Sequence, residues 1–212
     1  MSMSIMHILP LWFVYVAAAL RIGGGLATVR ATLRGEAHPN PVSWLLWSAT
    51  ALLTFVAAVT ANGLHIETLM TLAMATSPLL VFLAIMSKNP RSFRLDRLNA
   101  ACFVIALAGI ALWVLTNHPV LAIILAISAD MVSTIPIFAK SARHPYSEYV
   151  PGYLASLTAM LMVVFAAEEW NWYALAFPIY ALVMNGAIAA FVVMKRAERR
   201  RKIRLGIRNA RA

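Results

Sequence analysis

PVLAIILAISADMVSTIPIFAKSARHP, residues 119–145, decides the fold. From Pro119 to Ala139 its only ionisable side chain is Asp130, and the run then closes on Lys140 and Arg143. A helix that spans a bilayer needs about 20 mostly apolar residues, since the hydrocarbon layer is about 30 Å thick and each residue rises about 1.5 Å. Residues 119–140 meet that requirement. Six further stretches do the same: 8–30, 42–62, 67–87, 98–117, 150–168 and 173–194. The polar segment SKNPRSFRLDRLN (87–99) separates the third from the fourth, and Asn117, His118 and Pro119 make a tight turn between the fourth and fifth.

Composition agrees. The chain has 212 residues, of which 62% are apolar and 12% charged, and its mean hydropathy is +0.77. Soluble domains run at about 45–50% apolar and about 25% charged, so an ordinary soluble globule, a disordered chain and a disulfide-stapled secreted domain are excluded. The single cysteine, Cys102, has no partner for an internal bridge.

The net charge of +10 suggests nucleic acid until the charges are located. Basic residues gather on the cytoplasmic side of membrane proteins. With the N-terminus outside and seven spans, the inner segments hold Arg30 and Arg34, then Lys88, Arg91, Arg94 and Arg97, then Lys140 and Arg143, then the tail from Lys195 to Arg211. Seventeen of the 18 Lys and Arg fall there, and Glu67, Glu168 and Glu169 fall outside. The expected topology is therefore N-out and C-in. Residues 1–20 carry no Lys or Arg, so the first span lacks the basic start of a cleaved signal peptide and is expected to be retained. The tail, KRAERRRKIRLGIRNAR (195–211), reads as a topology anchor against anionic lipid headgroups. No aromatic residue is interleaved for stacking on bases, so nucleic acid is not an expected partner.

Two segments repeat. ATVRATLRGEAHP (27–39) and STIPIFAKSARHP (133–145) align with Thr28 on Thr134, Arg34 on Lys140, His38 on His144 and Pro39 on Pro145. Both lie at the inner end of an odd-numbered span. Spans 1–3 and 5–7 run in the same sense, with span 4 left over as an inverting linker. The expectation is an all-α, polytopic membrane protein built as two parallel three-helix bundles in a 3+1+3 order. Residues 1–88 form the first repeat, 89–118 the inner loop and linker helix, 119–194 the second repeat and 195–212 a basic cytoplasmic tail.

This arrangement resembles the SWEET, SemiSWEET and PQ-loop superfamily, whose members are assembled from three-helix bundles. The nearest local match is Pro136-Ile-Phe-Ala-Lys140 followed by Ser147-Glu148, similar to that family's proline, basic residue and Ser-Glu pattern. Ile137 stands where the glutamine of the PQ motif would be, and the first repeat has Val29-Arg30 in place of the proline. The stretch NPVSWLLW (40–47) is similar to small bacterial membrane proteins of this group. The resemblance implies a solute carrier, with Pro41, Pro136 and Pro151 as hinges. It also implies a substrate-binding asparagine on the last helix of the second repeat, here Asn185.

Depth marks the candidate site. Arg21 precedes Arg30 by nine residues. Asp130, Asn185 and Pro78 precede Lys140, Lys195 and Lys88 by ten. At about 1.5 Å per residue these groups lie about 13–17 Å from the inner boundary, near the midplane, where such carriers bind their solutes. An Arg or Asp at that depth costs about 2.5–3.5 kcal/mol on insertion scales and seeks a partner or water. Arg21 and Asp130 are the only deep ionisable groups and have opposite signs. They are expected to approach each other directly, or through a water or substrate, either as a structural lock or as a binding site.

The expected substrate-binding set is Arg21, Asp130, Asn185, Ser77, Trp47 and Tyr180, with Thr76 and Ser133 as further lining candidates. Gly23-Gly24-Gly25 reads as a close helix contact. Trp44 and Trp47 read as anchors at the inner interface, with an inward turn of Trp47 as the alternative, and Trp170 and Trp172 as anchors at the outer one. His7, His38, His65, His118 and His144 are scattered, so no metal or cofactor is expected. No nucleotide-binding or hydrolase motif is present. The expectation is a non-enzymatic carrier for a small polar solute in a cell membrane, that of a bacterial inner membrane. A non-transporting receptor or sorting protein on the same scaffold and a membrane-bound enzyme are the rivals. Self-association is left open.

Overall fold

A computed structural model describes residues 10, 12–62, 66–115, 119–167, 170 and 172–209, for some of them the helical backbone only. The Asn117–His118 turn, Glu168, Glu169, His7, His65 and the side chain of Glu67 lie outside that description. Among the described residues all regular structure is helical, with no strand. Its elements are α1 (Phe13–Leu33), α2 (Pro41–Asn62), α3 (Ile66–Lys88), α4 (Arg97–Leu115), α5 (Pro119–Arg143), α6 (Val150–Phe165) and α7 (Trp172–Asn209), with one 3-10 turn at Pro90–Ser92. Among the described residues α1, the Ile123–Arg143 part of α5 and the Leu175–Gly206 part of α7 are each long and apolar enough to cross a membrane. Shorter apolar helical stretches occupy Met74–Lys88, Arg97–Leu112 and Val150–Phe165.

Local chemistry sets the helix ends. After α1, Gly35 adopts φ +75°, which costs glycine little. The Glu36 amide donates to the Ala31 carbonyl and the Gly35 amide to that of Thr32, the pairing of a Schellman stop. Asn40 opens α2: its side-chain oxygen accepts from the amides of Val42 (2.9 Å) and Ser43 (3.4 Å), and Pro41 follows in the first turn. Asp96 starts α4 in the same way by accepting from the Asn99 amide at 2.8 Å. Pro151 lies in the first turn of α6. In such first-turn positions proline interrupts no helical hydrogen bond. Pro78, Pro136 and Pro178 lie inside α3, α5 and α7. Beyond Lys195, α7 continues as helix to Asn209 where a separate tail was expected. Ala, Glu, Arg and Lys are good helix formers, so nothing there stops it.

The packing pairs close a ring. α3 packs on both α1 and α2, α7 packs on both α5 and α6, and the two groups meet through α1 with α6 and α2 with α5. α4 stands outside this ring against α5 and α2. Small residues bring α1 in close. A Cβ on Gly24 would sit 2.6 Å from the Ala155 Cβ, and one on Gly25 would overlap the Ser77 side chain. Gly152 packs equally tightly against Thr28, whereas Gly23 faces open space. The largest buried cluster contains Trp44, Val81, Ile137, Tyr153, Ile188 and Val192. Removing one methyl from this cluster, as in Ile188→Val, is expected to cost about 0.5–1.5 kcal/mol, read as a lower midpoint in denaturant titration of the detergent-solubilised protein.

Candidate functional site

The ring surrounds a partly open cavity of about 390 Å3 to which all six of its helices contribute and α4 does not. Arg21 enters from α1, Trp47 from α2, Ser77 and Pro78 from α3, Asp130 from α5, Ser156 from α6 and Asn185 from α7. Five of the six expected substrate-binding residues therefore line one space. Tyr180 is not in its wall, but it holds the key carboxylate: its hydroxyl donates to Asp130 Oδ2 at 2.8 Å.

Arg21 and Asp130 form no ion pair, and each has a neutral partner instead. Arg21 Nη1 donates to Ser156 Oγ at 3.0 Å, while Arg21 Nε is buried with no hydrogen-bond partner among the described residues. The Trp47 indole N–H reaches the Asp130 backbone carbonyl at 3.5 Å, and Thr134 Oγ1 donates to that same carbonyl at 3.0 Å. The two charges thus face a common cavity, each steadied from the side. A direct Arg–Asp lock is not what is found.

The other candidates separate by rotation about their helices. Ser77 is buried and lines the cavity. Its neighbour Thr76 is exposed and bonds back to the Leu72 carbonyl at 2.7 Å, so it does not line the site. Ser133 is buried, donates to the Ala129 carbonyl at 2.7 Å and is absent from the wall. Asn185 lines the cavity while its Nδ2 donates to the Ala181 carbonyl at 2.7 Å, leaving its oxygen for another donor. Trp44, expected at an interface, is only 8% exposed. It lines the cavity beside Trp47 (ring centroids 5.3 Å apart) and Tyr153 (6.4 Å). Trp170 and Trp172 are exposed. Of the expected hinge prolines, Pro136 lies inside a continuous helix, while Pro41 and Pro151 start theirs.

Sequence reasoning missed the α6 wall. Tyr149, Gly152, Tyr153 and Ser156 all face the cavity. Their spacing of three, four and seven residues places them on one face of a helix, and a polar-aromatic stripe along an otherwise apolar run was the available signal.

A second polar cluster lies at the end of the ring that carries Lys140 and Arg196. Glu148, in the loop between α5 and α6, is 1% exposed. The Tyr153 hydroxyl donates to its Oε2 at 2.7 Å, and its Oε1 has no partner among the described residues. Arg196 donates to the backbone carbonyls of Glu148 (2.6 Å) and Pro145 (2.9 Å). Lys140 donates to the His38 carbonyl, and the His38 amide donates to that of Ser147 at 2.7 Å. The two segments aligned as a repeat thus touch. Burial pushes the Glu148 carboxyl above its ordinary value, against the opposing pull of Lys140, the Tyr153 hydrogen bond and Arg196. Tyr153 belongs to both places: its ring lines the cavity and its hydroxyl holds Glu148.

Among the described residues no group of three His, Cys, Asp or Glu side chains is placed to hold a metal ion. No protein-family model, curated protein or solved structure matches the chain.

Proposed function

We propose that this chain is a multi-pass membrane carrier that binds a small polar solute in the cavity and passes it across the bilayer by alternating access. The observation that carries the reading is the cavity itself: a guanidinium and a carboxylate, both near mid-helix, line one partly open cavity without neutralising each other directly. In hydrocarbon such groups are costly and belong to solute or ion pathways. The pairing of helices supports a 3+1+3 build. Exchanging α1, α2 and α3 for α5, α6 and α7 turns every contact of the ring into another contact of the ring. On this reading two three-helix bundles rock about the site and α4 is the linker. The N-terminus is outside, and the basic extension of α7 lies along anionic headgroups of a cytoplasmic, bacterial inner membrane. Without a nucleotide-binding motif, transport is facilitated or ion-coupled. The likeness to SWEET and PQ-loop proteins belongs to the same proposal.

Reconstitution tests it. Proteoliposomes loaded with a panel of sugars, amino acids and vitamins should show saturable counterflow for at least one class. Asp130→Asn and Arg21→Gln should each reduce it at least about tenfold, the effect of losing about 1.4 kcal/mol at the site, while both variants keep the wild-type elution profile and helical content. Undiminished flux in two folded variants would remove the site assignment.

A further inference from the structure

Resting on the reading of the cavity as a solute site, we infer that its substrate class is a small zwitterion, whose anionic group binds Arg21 and whose ammonium lies between Asp130 and the face of Trp47.

The argument starts from what each charge lacks. A guanidinium offers five N–H donors in a planar fork suited to a carboxylate. Arg21 is seen to use one of them, on Ser156, and its Nε–H is buried without a partner among the described residues. A carboxylate offers about four acceptor sites, and Asp130 shows one side-chain donor, Tyr180. Both partners are neutral hydroxyls, so they orient the charges without cancelling them. The two residues come from α1 and α5, elements that do not pack on each other in the ring. The charges therefore enter the cavity from helices on opposite sides of the ring. A ligand with both signs would cancel both. An anion would satisfy Arg21 and be repelled by Asp130, and a cation would meet the reverse. An uncharged sugar would leave two desolvated charges uncancelled, which costs more than it returns unless water stays between them.

The remaining walls fit the same ligand. Trp47 lines the cavity and its indole N–H reaches the Asp130 backbone carbonyl, so an aromatic ring stands close to the residue that carries the carboxylate. Aromatic faces attract ammonium groups, and quaternary ones most plainly. Trp44, Tyr153 and Phe177 supply apolar wall for a side chain. The cavity, about 390 Å3, lies at the small end of the range of about 300–1,000 Å3 typical of ligand sites, which suits a single amino acid or a betaine.

The experiment uses the full-length purified protein in detergent, with binding read by calorimetry and, in parallel, by solute-induced shift of the melting temperature. The probes are L-leucine, its methyl ester (no carboxylate), N-acetyl-leucine (no ammonium), glycine betaine and glucose. At least one of the two zwitterions should bind. Each singly charged leucine analogue should bind about 10–100-fold more weakly than leucine, the loss of one charge-assisted contact. If betaine is the tighter of the two, the ammonium is held by Trp47; if leucine is, by Asp130. Arg21→Gln should abolish the penalty for the methyl ester and Asp130→Asn the penalty for the N-acetyl compound. Arg21→Lys should retain part of the preference. Glucose binding as tightly as either zwitterion, or equal binding of leucine and both analogues, overturns the inference. Saturable counterflow of glucose with no zwitterion bound overturns it while the carrier reading stands. No binding and no counterflow of any probe overturns both.

Discussion

Gly24→Val is expected to destroy the native bundle. The new Cβ would sit 2.6 Å from the Ala155 Cβ and 3.4 Å from the Gly152 carbonyl oxygen. One obstacle is a methyl fixed to its backbone and the other is backbone, so neither can rotate away. α1 and α6 must separate, and with them one of the two seams joining the halves of the ring. Overpacking a tight interior costs about 1–3 kcal/mol and occasionally more. Here it acts on a close helix contact, where packing rather than hydrophobic burial holds helices together in lipid. The expected outcome is aggregated protein on size exclusion, or a large fall in melting temperature. Gly23→Ala is the internal control. A Cβ at Gly23 meets nothing within 4 Å, and alanine is the better helix former by about 1 kcal/mol, so that variant should be as stable as the wild type or more so.

Replacing Glu148 is expected to have the second largest effect. Glu148→Ala strands the buried Tyr153 hydroxyl, at about 1–3 kcal/mol for an unsatisfied polar group, and removes the carboxylate facing Lys140 and Arg196. The midpoint in denaturant should fall accordingly. Glu148→Gln keeps an acceptor for Tyr153 and separates charge from hydrogen bonding. Burial raises the folded-state pKa of Glu148 above that of the unfolded chain. Its contribution to stability is therefore full below the unfolded value and is lost as pH rises through the folded one. Wild-type stability should decline over that interval, and Glu148→Gln should show a flatter profile. A wild-type profile that rises with pH over the same interval would show that Lys140 and Arg196 outweigh burial.

Helix extents were readable because length and punctuation are local properties. Residues 42–62 and 67–87 differ by a residue or two from α2 and α3, since Asn40-Pro41 and the turn after Lys88 mark their ends. α7 outran its expected limit because about 20 apolar residues measures the hydrocarbon, not the helix. Counting residues from the basic ends grouped Arg21, Asp130 and Asn185, and these three do share one cavity. Height does not give azimuth. Thr76 and Ser77 are one residue and about 100° apart on a helix, and only Ser77 turns inward. The sequence reads Trp44 as an interface anchor because an aromatic near a span end has two homes, and its burial beside Tyr153 decides between them. Glu148 was visible as part of a motif. Its partners come from α5, α6 and α7, and no spacing along the chain brings those together.

The most direct test of alternating access is thiol labelling at Ala126, a cavity residue on α5. Cys102 is the single cysteine and is buried, so Ala126→Cys in a Cys102→Ala background gives one reporter. A membrane-impermeant maleimide is applied to sealed vesicles from one face, then the other. The carrier reading predicts labelling from both faces, in proportions that change when a transported solute is added. Labelling from one face alone, unaltered by any solute, would contradict it and leave a one-sided receptor pocket.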